Sequence, residues 1–459
     1  MIESLKYLPH PVDANSALAE RFTDLAPALT PRQAAIESAR CLYCYDAPCT
    51  RVCPSEIDVA SFIRNIHDNN INGAAAGILK ANILGGSCAR VCPVEILCED
   101  ACVRNHDEEG QPVKIGLLQR HALDHMRFDG HPFARAAATG KTVAVVGAGP
   151  AGLSCAHRLA MLGHEVVIFE ARAKPGGLNE YGIAKYKLTD DFAQKEVQFL
   201  LGIGGIRIEY GHTLGANLSL RALHQAYDAV FLGLGLGASR RLGLTGEDAP
   251  GLLAAVDYIA ALRQADDLSA LPLPARAIVI GAGNTAIDMA VQIQRLGARE
   301  VTLVYRRGFE AMTATGHEQD IAKANQVRML TWARPQQVLL DGAGLVAGMR
   351  FEKTALEDGR LVGTGATFDI AADAIFKAIG QSLDGAALGD PLAAGLTREG
   401  DKIAVDAGFR TILPGIYAGG DCVAPGQDLT VQAVQHGKLA ALAIHHDIQS
   451  KVEAASWPI

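Results

Sequence analysis

The chain is 459 residues long, 49% hydrophobic and 20% charged, with a formal net charge of −8. That is the make-up of a packed globular enzyme of about three domains, not of a disordered scaffold, and its acidic balance argues against a nucleic-acid partner. No apolar stretch reaches the roughly 18–20 residues of a membrane span, and the N-terminal MIESLKYLPH lacks the basic and apolar regions of an export leader, so the expected address is the cytoplasm.

The first part of the chain, up to about residue 137, reads as mostly helical. Thr30-Pro31-Arg32-Gln33 is a helix start, with Thr30 as N-cap, Pro31 at the first helical position and Gln33 placed to reach back. This helix delivers Arg40 into a first cysteine run, Cys41, Cys44, Cys49 and Cys53; a second run follows at Cys88, Cys92, Cys98 and Cys102. Each run is tight and carries a proline after one cysteine, Pro54 and Pro93, the spacing by which thiolates wrap iron–sulfur clusters. A disulfide framework would need an oxidising compartment, and structural zinc favours paired Cys-x2-Cys hooks, of which only Cys41 and Cys44 make one. Between the runs, Ser61 to Leu84 has helical character, punctuated by Gly73, Gly77 and the Gly85-Gly86 pair, and folds the second run back onto the first. Two clusters close together are expected.

After a polar linker from Phe128 to Lys141 the texture becomes strand, turn, helix. Thr142 to Val146 is a strand, Gly147, Ala148, Gly149, Pro150, Ala151 and Gly152 form the turn, Leu153 to Leu162 continue as a helix, and a second strand ends on Glu170. Glycines there let the backbone approach a pyrophosphate at the helix N-terminus, while the acid binds a ribose hydroxyl. The pattern returns with Ala277 to Ile280, the turn Gly281, Ala282, Gly283, Asn284, Thr285, Ala286, the helix Ile287 to Leu296 and the strand Val301 to Tyr305. Two turns in register with strand and helix mean two dinucleotide sites. In the second copy Arg306 and Arg307 replace the acid; they either accept a ribose phosphate or are a solvated pair. Near the C-terminus a short strand leads to Gly420 and Asp421, whose carboxylate can bind a ribityl hydroxyl, and Thr430 starts a helix aimed at a flavin ring.

These segments together resemble the two-dinucleotide-domain flavoproteins related to the glutamate synthase small subunit, in which the nicotinamide domain is inserted into the FAD domain. The longer loop of Cys88-Ala-Arg-Val-Cys92-Pro-Val-Glu-Ile-Leu-Cys98-Glu-Asp-Ala-Cys102, with Asp46-Ala47-Pro48-Cys49 and Ile115-Gly116-Leu117-Leu118-Gln119, is similar to the N-terminal half of dihydropyrimidine dehydrogenase. The resemblance implies an α/β fold: a helical domain with two 4Fe-4S clusters at 1–137, an FAD-binding domain at 138–240 and 381–459, and a nicotinamide domain at 241–380. It implies one cluster on Cys41, Cys44, Cys49 and Cys102 and the other on Cys53, Cys92, Cys98 and Gln119. Counting cysteines alone would instead make Cys88 the eighth ligand.

By the same resemblance FAD contacts the turn Gly147 to Gly152, Glu170, Gly177, Leu178, Lys187, Leu214, Gly420, Asp421 and Thr430. The nicotinamide cofactor contacts Ala282, Gly283, Asn284, Thr285, Arg306, Arg307, Ala378, Ile379 and Gly380. Thr313 stands where the NADPH-specific relatives have a further arginine, which favours NAD, with NADP the alternative. The single-chain dehydrogenase continues into an FMN-binding barrel with two more clusters, and none of this fits after Ile459. The expected partner is therefore a separate FMN and iron–sulfur barrel subunit carrying the pyrimidine site, in a heterotetramer; a glutamate synthase small subunit is the alternative function. No catalytic acid or base is assigned, because flavin and nicotinamide supply the chemistry of hydride transfer. Cys155 and Cys422 read as packing residues and His445-His446 as a surface pair.

Overall fold

A computed structural model describes residues 14–108 and 110–456. The MIESLKYLPH stretch, on which the absence of a leader was read, lies outside the described residues. The chain forms two compact units. One takes Ala26–Glu180, Asp190–Ala238 and the residues from Ser382 on; the other takes Ser239–Gln381, Tyr181–Thr189 and the residues up to Leu25.

The first unit joins the iron–sulfur helices to a dinucleotide fold. Helix Pro31–Ala39 begins with a reciprocal box, the Thr30 side chain accepting from Gln33 N and the Gln33 side chain from Thr30 N at 2.9 Å. It ends at Arg40, one residue before Cys41. Helices Val59–His67 and Ile71–Ala81 follow, their inner faces supplying Phe62, Ile63 and Ile78 to a core shared with Leu118 of helix Ile115–His125. Gly73 and Gly77, read as punctuation, lie inside the second of these helices. The break comes earlier, at Asn69, whose φ is 58°, and Asn70, whose side chain caps the helix by accepting from Gly73 N. Gly85-Gly86 opens helix Gly85–Val91 instead of closing the preceding one.

The sheet of this unit is parallel, ordered Ile416–Ala418, Ala229–Leu232, Thr142–Val146, Glu165–Glu170, Ile206–Tyr210. Its edge strand Ile416–Ala418 comes from beyond the inserted segment, so the chain leaves this fold after Ala238 and returns to complete it. Helices Pro150–Met161 and Thr430–Ser456 pack together beside the sheet.

The second unit is built on another parallel sheet, ordered Leu252–Ala254, Ala374–Ala378, Arg276–Gly281, Glu300–Val304, Arg328–Leu330. An antiparallel sheet of Ala333–Leu340, Val346–Glu357 and Arg360–Ala371 adjoins it, its long hairpin turning at Asp358-Gly359 with both residues at positive φ. Helix Ala14–Arg21 belongs here: Leu18 and Phe22 enter this unit's core, and Arg21 and Arg295 donate to each other's carbonyls at 3.3 and 3.0 Å. Among the described residues no helix is long and apolar enough to cross a membrane.

Candidate functional site

Cys41, Cys44, Cys49 and Cys102 line one pocket, with Val59, Ile63 and Ile115 behind them. The distant Cys102 is brought there by Arg104, whose Nε donates to the Arg40 carbonyl at 2.8 Å, while the Arg40 guanidinium holds Gln111 O and Pro112 O at 2.8 and 3.0 Å. Between the first cysteines, Tyr43 and Ala47 sit at φ 50° and 29°, a conformation that side chains rarely adopt and that curls the loop around the pocket. Burial pushes the Cys41 thiol up and that of Cys49 up to about 11. Thiols so placed ionise only against a cationic centre, which the iron of a cluster supplies when bound. Among the described residues no three Cys, His, Asp or Glu side chains converge as closely as a single metal ion requires; the four thiols line a pocket wall instead.

Cys53, Cys92 and Cys98 form a second neighbourhood. Burial, with Glu99 and Cys53 nearby, pushes the Cys98 thiol well up, and Cys92 is raised by its hydrogen bond to Cys88 and by burial, with Cys98 and Cys53 near it. Gln119 is buried on helix Ile115–His125, and its Nε2 donates to the Gly85 carbonyl at 2.7 Å. That bond uses the amide N–H and leaves the acceptor Oε1, the atom an amide would offer to iron. Cys88 is buried on helix Gly85–Val91, beside Cys92.

The first glycine turn is built from backbone contacts. Gly147, at φ 99°, donates to Phe169 O at 2.8 Å, and a Cβ on Gly152 would strike the Gly147 carbonyl, so the helix that starts at Pro150 lies against the strand only because Gly152 has no side chain. Ala148 N donates to Glu170 Oε2 at 2.7 Å and Arg172 N to Oε1 at 2.8 Å, which leaves the carboxylate half of its acceptor sites for a ribose. Gly176 N bonds Ala148 O at 2.7 Å, placing Gly177 and Leu178 beside the turn; His212 N bonds Glu170 O at 3.0 Å, bringing buried Leu214 to the same strand end. Gly420 N donates to His436 Nδ1 at 3.2 Å, and Thr430 Oγ1 to Asn179 Oδ1 at 3.1 Å. Asp421 accepts from no group among the described residues, and burial, with Asp428 close by, pushes it up to about 6. A half-buried carboxyl without a donor fits a ribityl hydroxyl.

The second glycine turn repeats the design. Ala378 pairs with Gly281, so Ala378, Ile379 and Gly380 flank the turn, and Ala314 N and Thr313 Oγ1 donate to Ala282 O at 2.8 and 3.3 Å. Gly283 is the N-cap of helix Asn284–Leu296, Thr285 lies in its first turn, and Asn284 Oδ1 is buried with no partner among the described residues, a polar atom awaiting a ligand. Arg306 and Arg307 are exposed just beyond strand Glu300–Val304, and no described acid pairs with either guanidinium. Lys187 is the one member of the flavin set in this unit. Its Nζ lies 2.7 Å from Asp288 Oδ1 and 2.6 Å from Glu318 Oε1, with Tyr186 donating to Asp288 at 3.1 Å. Burial works against its charge, but the two carboxylates more than offset that and hold its pKa above the ordinary value.

Some readings change in three dimensions. Only His446 is on the surface; His445 is half-buried, its Nδ1 2.8 Å from Nε2 of buried His164. Cys155 and Cys422 are fully buried packing residues. Sequence reasoning missed Glu196, on helix Phe192–Leu201, whose carboxylate accepts from Gly86 N at 2.8 Å and Ser87 N at 3.1 Å and so caps the helix that ends at Cys92. No local signal marks a cap supplied from 110 residues away.

The family described as pyridine nucleotide-disulphide oxidoreductase matches residues 141–437, and the one described as dihydropyrimidine dehydrogenase domain II, 4Fe-4S cluster, matches residues 18–130. The proteins called NAD-dependent dihydropyrimidine dehydrogenase subunit PreT of Escherichia coli O157:H7 and of Salmonella typhimurium are each 34% identical, over 430 and 428 residues, covering 93% of this chain and 97% of each relative. Among solved structures, FprA of Mycobacterium tuberculosis in complex with NADPH superposes with a TM-score of 0.55 at 20% identity over 69% of this chain and 87% of that one. T. acidophilum thioredoxin reductase gives 0.51 at 21% identity over 67% and 99%. These two likenesses are of fold. The cysteine runs, the paired nucleotide turns and the full-length relatives agree, and the chain belongs to the family of flavin and iron–sulfur oxidoreductase subunits of bacterial dihydropyrimidine dehydrogenase.

Proposed function

We propose that the chain is the electron-input subunit of an NAD-dependent dihydropyrimidine dehydrogenase of the cytoplasm: hydride passes from NADH to FAD, and electrons then leave singly, by way of two 4Fe-4S clusters, for a separate FMN-containing subunit that reduces uracil or thymine to the 5,6-dihydro form. The observation that carries this reading is the cysteine-lined pocket in the same unit as the flavin turn. In its loops Leu42 is 54% exposed and Tyr45 fully so, and Val52 and Ile96, leading to Cys53 and Cys98, are also exposed. Apolar and aromatic side chains left in water beside a redox centre suit docking of a partner protein.

The residues of the chain divide the work. Cys41, Cys44, Cys49 and Cys102 form the outer station, in the pocket that exposed Leu42 also lines. Cys53, Cys92, Cys98 and Gln119 form the inner one, because helix Gly85–Val91, which leads to Cys92, is capped by Glu196 of the flavin fold. Glu170 and Asp421 hold the FAD sugars, and the glycine turns admit the pyrophosphates. Thr313 in place of a further cation favours NADH, with Arg306 and Arg307 able to meet a phosphate. The assembly is a heterotetramer with the barrel subunit.

Anaerobically purified protein should contain FAD, iron and acid-labile sulfide, and mixing it with the FMN-barrel subunit should give uracil-dependent oxidation of NADH. Activity only with a glutaminase-type partner would overturn the assignment.

A further inference from the structure

Lys438 lies on helix Thr430–Ser456, two turns beyond the end that faces the flavin site. Its side chain is half-buried, and its Nζ donates to Ser55 O at 3.0 Å and Ala81 O at 2.9 Å. Ala81 is the last residue of helix Ile71–Ala81, whose neighbouring carbonyl, that of Lys80, is already capped at 2.8 Å by Arg158 of helix Pro150–Met161. Lys438 and Arg158 thus share the capping of this helix end, but Lys438 differs from Arg158 in also bonding Ser55 O. Ser55 is fully buried, two residues beyond Cys53, and its Oγ lies 3.5 Å from Cys53 Sγ. A short, rigid path therefore leads from an ammonium on a flavin-fold helix to one of the cluster cysteines.

We propose that Lys438 is a positioning residue of the inner cluster: held by the Ser55 carbonyl, its fixed positive charge acts through the Cys53 loop to raise the reduction potential of the cluster and draw electrons from the flavin. The proposal rests on the reading that Cys53 is a cluster ligand. Adding an electron makes the cluster more negative, so a nearby cation stabilises the reduced form. A unit charge acting through a protein of effective dielectric about 20 biases a one-electron equilibrium on the order of tenfold.

The test is an EPR-monitored redox titration of the anaerobically purified holoprotein, fitted with one midpoint for each cluster. Lys438→Met and Lys438→Gln, the latter keeping an amide donor for one carbonyl, should each lower the reduced-to-oxidised ratio of one cluster about tenfold at fixed ambient potential, which is 59 mV for a one-electron couple. Lys438→Arg should return it to within about twofold of wild type. Flavin reduction by NADH should not change. Only loaded protein gives a signal, so the potential stays readable if a variant loses part of its iron. An unshifted potential in both neutral variants would overturn the proposal and reduce Lys438 to a helix cap. Full iron retention in Cys53→Ala is a different failure, that of the ligand assignment beneath it.

Discussion

Glu196 and Gly86 are joined by a 2.8 Å hydrogen bond between a buried carboxylate of the flavin fold and the backbone N–H that opens the helix leading to Cys92. The second carboxylate oxygen takes the Ser87 hydroxyl, and the Cβ that any other residue would carry at position 86 would sit 2.5 Å from the Phe192 ring. The cap is thus close and buried, and it ties the helix leading to Cys92 to helix Phe192–Leu201.

Burial pushes Glu196 up to about 7, above the ordinary 4.5, despite the three donors around it. The folded protein then holds a proton that the unfolded chain releases, so this group's contribution is greatest at low pH and declines as pH rises from 4.5 to about 7. The expected slope is up to about 1.4 kcal/mol per pH unit, roughly 3 kcal/mol in all. Glu196→Gln should flatten it. Thermal midpoints of the FAD-loaded protein at pH 5, 6 and 7 measure this, and an equal slope in the variant would point to another group.

Gln119→Ala should remove one cluster while leaving reduction of the flavin by NADH largely intact. Iron should fall by about half, whereas Cys88→Ala should keep its full complement. The opposite pattern in an iron and sulfide assay would make Cys88 the eighth ligand.

Glu170→Ala deletes both a ribose acceptor and the partner of Ala148 N, a charge-assisted bond of about 1.5–3 kcal/mol. FAD retention should weaken by at least about tenfold, with Glu170→Gln intermediate because its amide oxygen can still accept from one N–H. Flavin fluorescence released on dilution measures the loss, and wild-type retention in the Ala variant would place the ribose elsewhere.

Arg306→Ala should raise the KM for NADPH about tenfold or more while leaving that for NADH within about twofold, since a guanidinium without a protein partner acts only on a phosphate that a ligand brings. Equal losses for the two cofactors in steady-state diaphorase assays would assign Arg306 and Arg307 to the solvated surface.

Much of this was legible along the chain because the signals are local. The Thr30 box, the strand Thr142–Val146, both glycine turns and the helix from Thr430 all lie where short-range pattern places them. Gly73 and Gly77 look like punctuation in the sequence but lie inside a helix, since one whose cap and buried face are satisfied tolerates interior glycines at about 1 kcal/mol each. The antiparallel sheet from Ala333 to Ala371 was not foreseen, because strands stabilised by cross-strand pairs in the folded unit carry weak local signatures.

Residue order alone was enough to establish the cysteine runs, the two nucleotide turns and the acid or arginines at their strand ends, for each is a spacing within one loop. Folding decided the rest: that Cys102 meets Cys41 through Arg104, that helix Ala14–Arg21 packs with the inserted unit, that Glu196 caps the helix leading to Cys92, and that Lys438 reaches Ser55. These are contacts between segments far apart in the chain, and a buried charge or cap finds its partner only when packing has removed water from both.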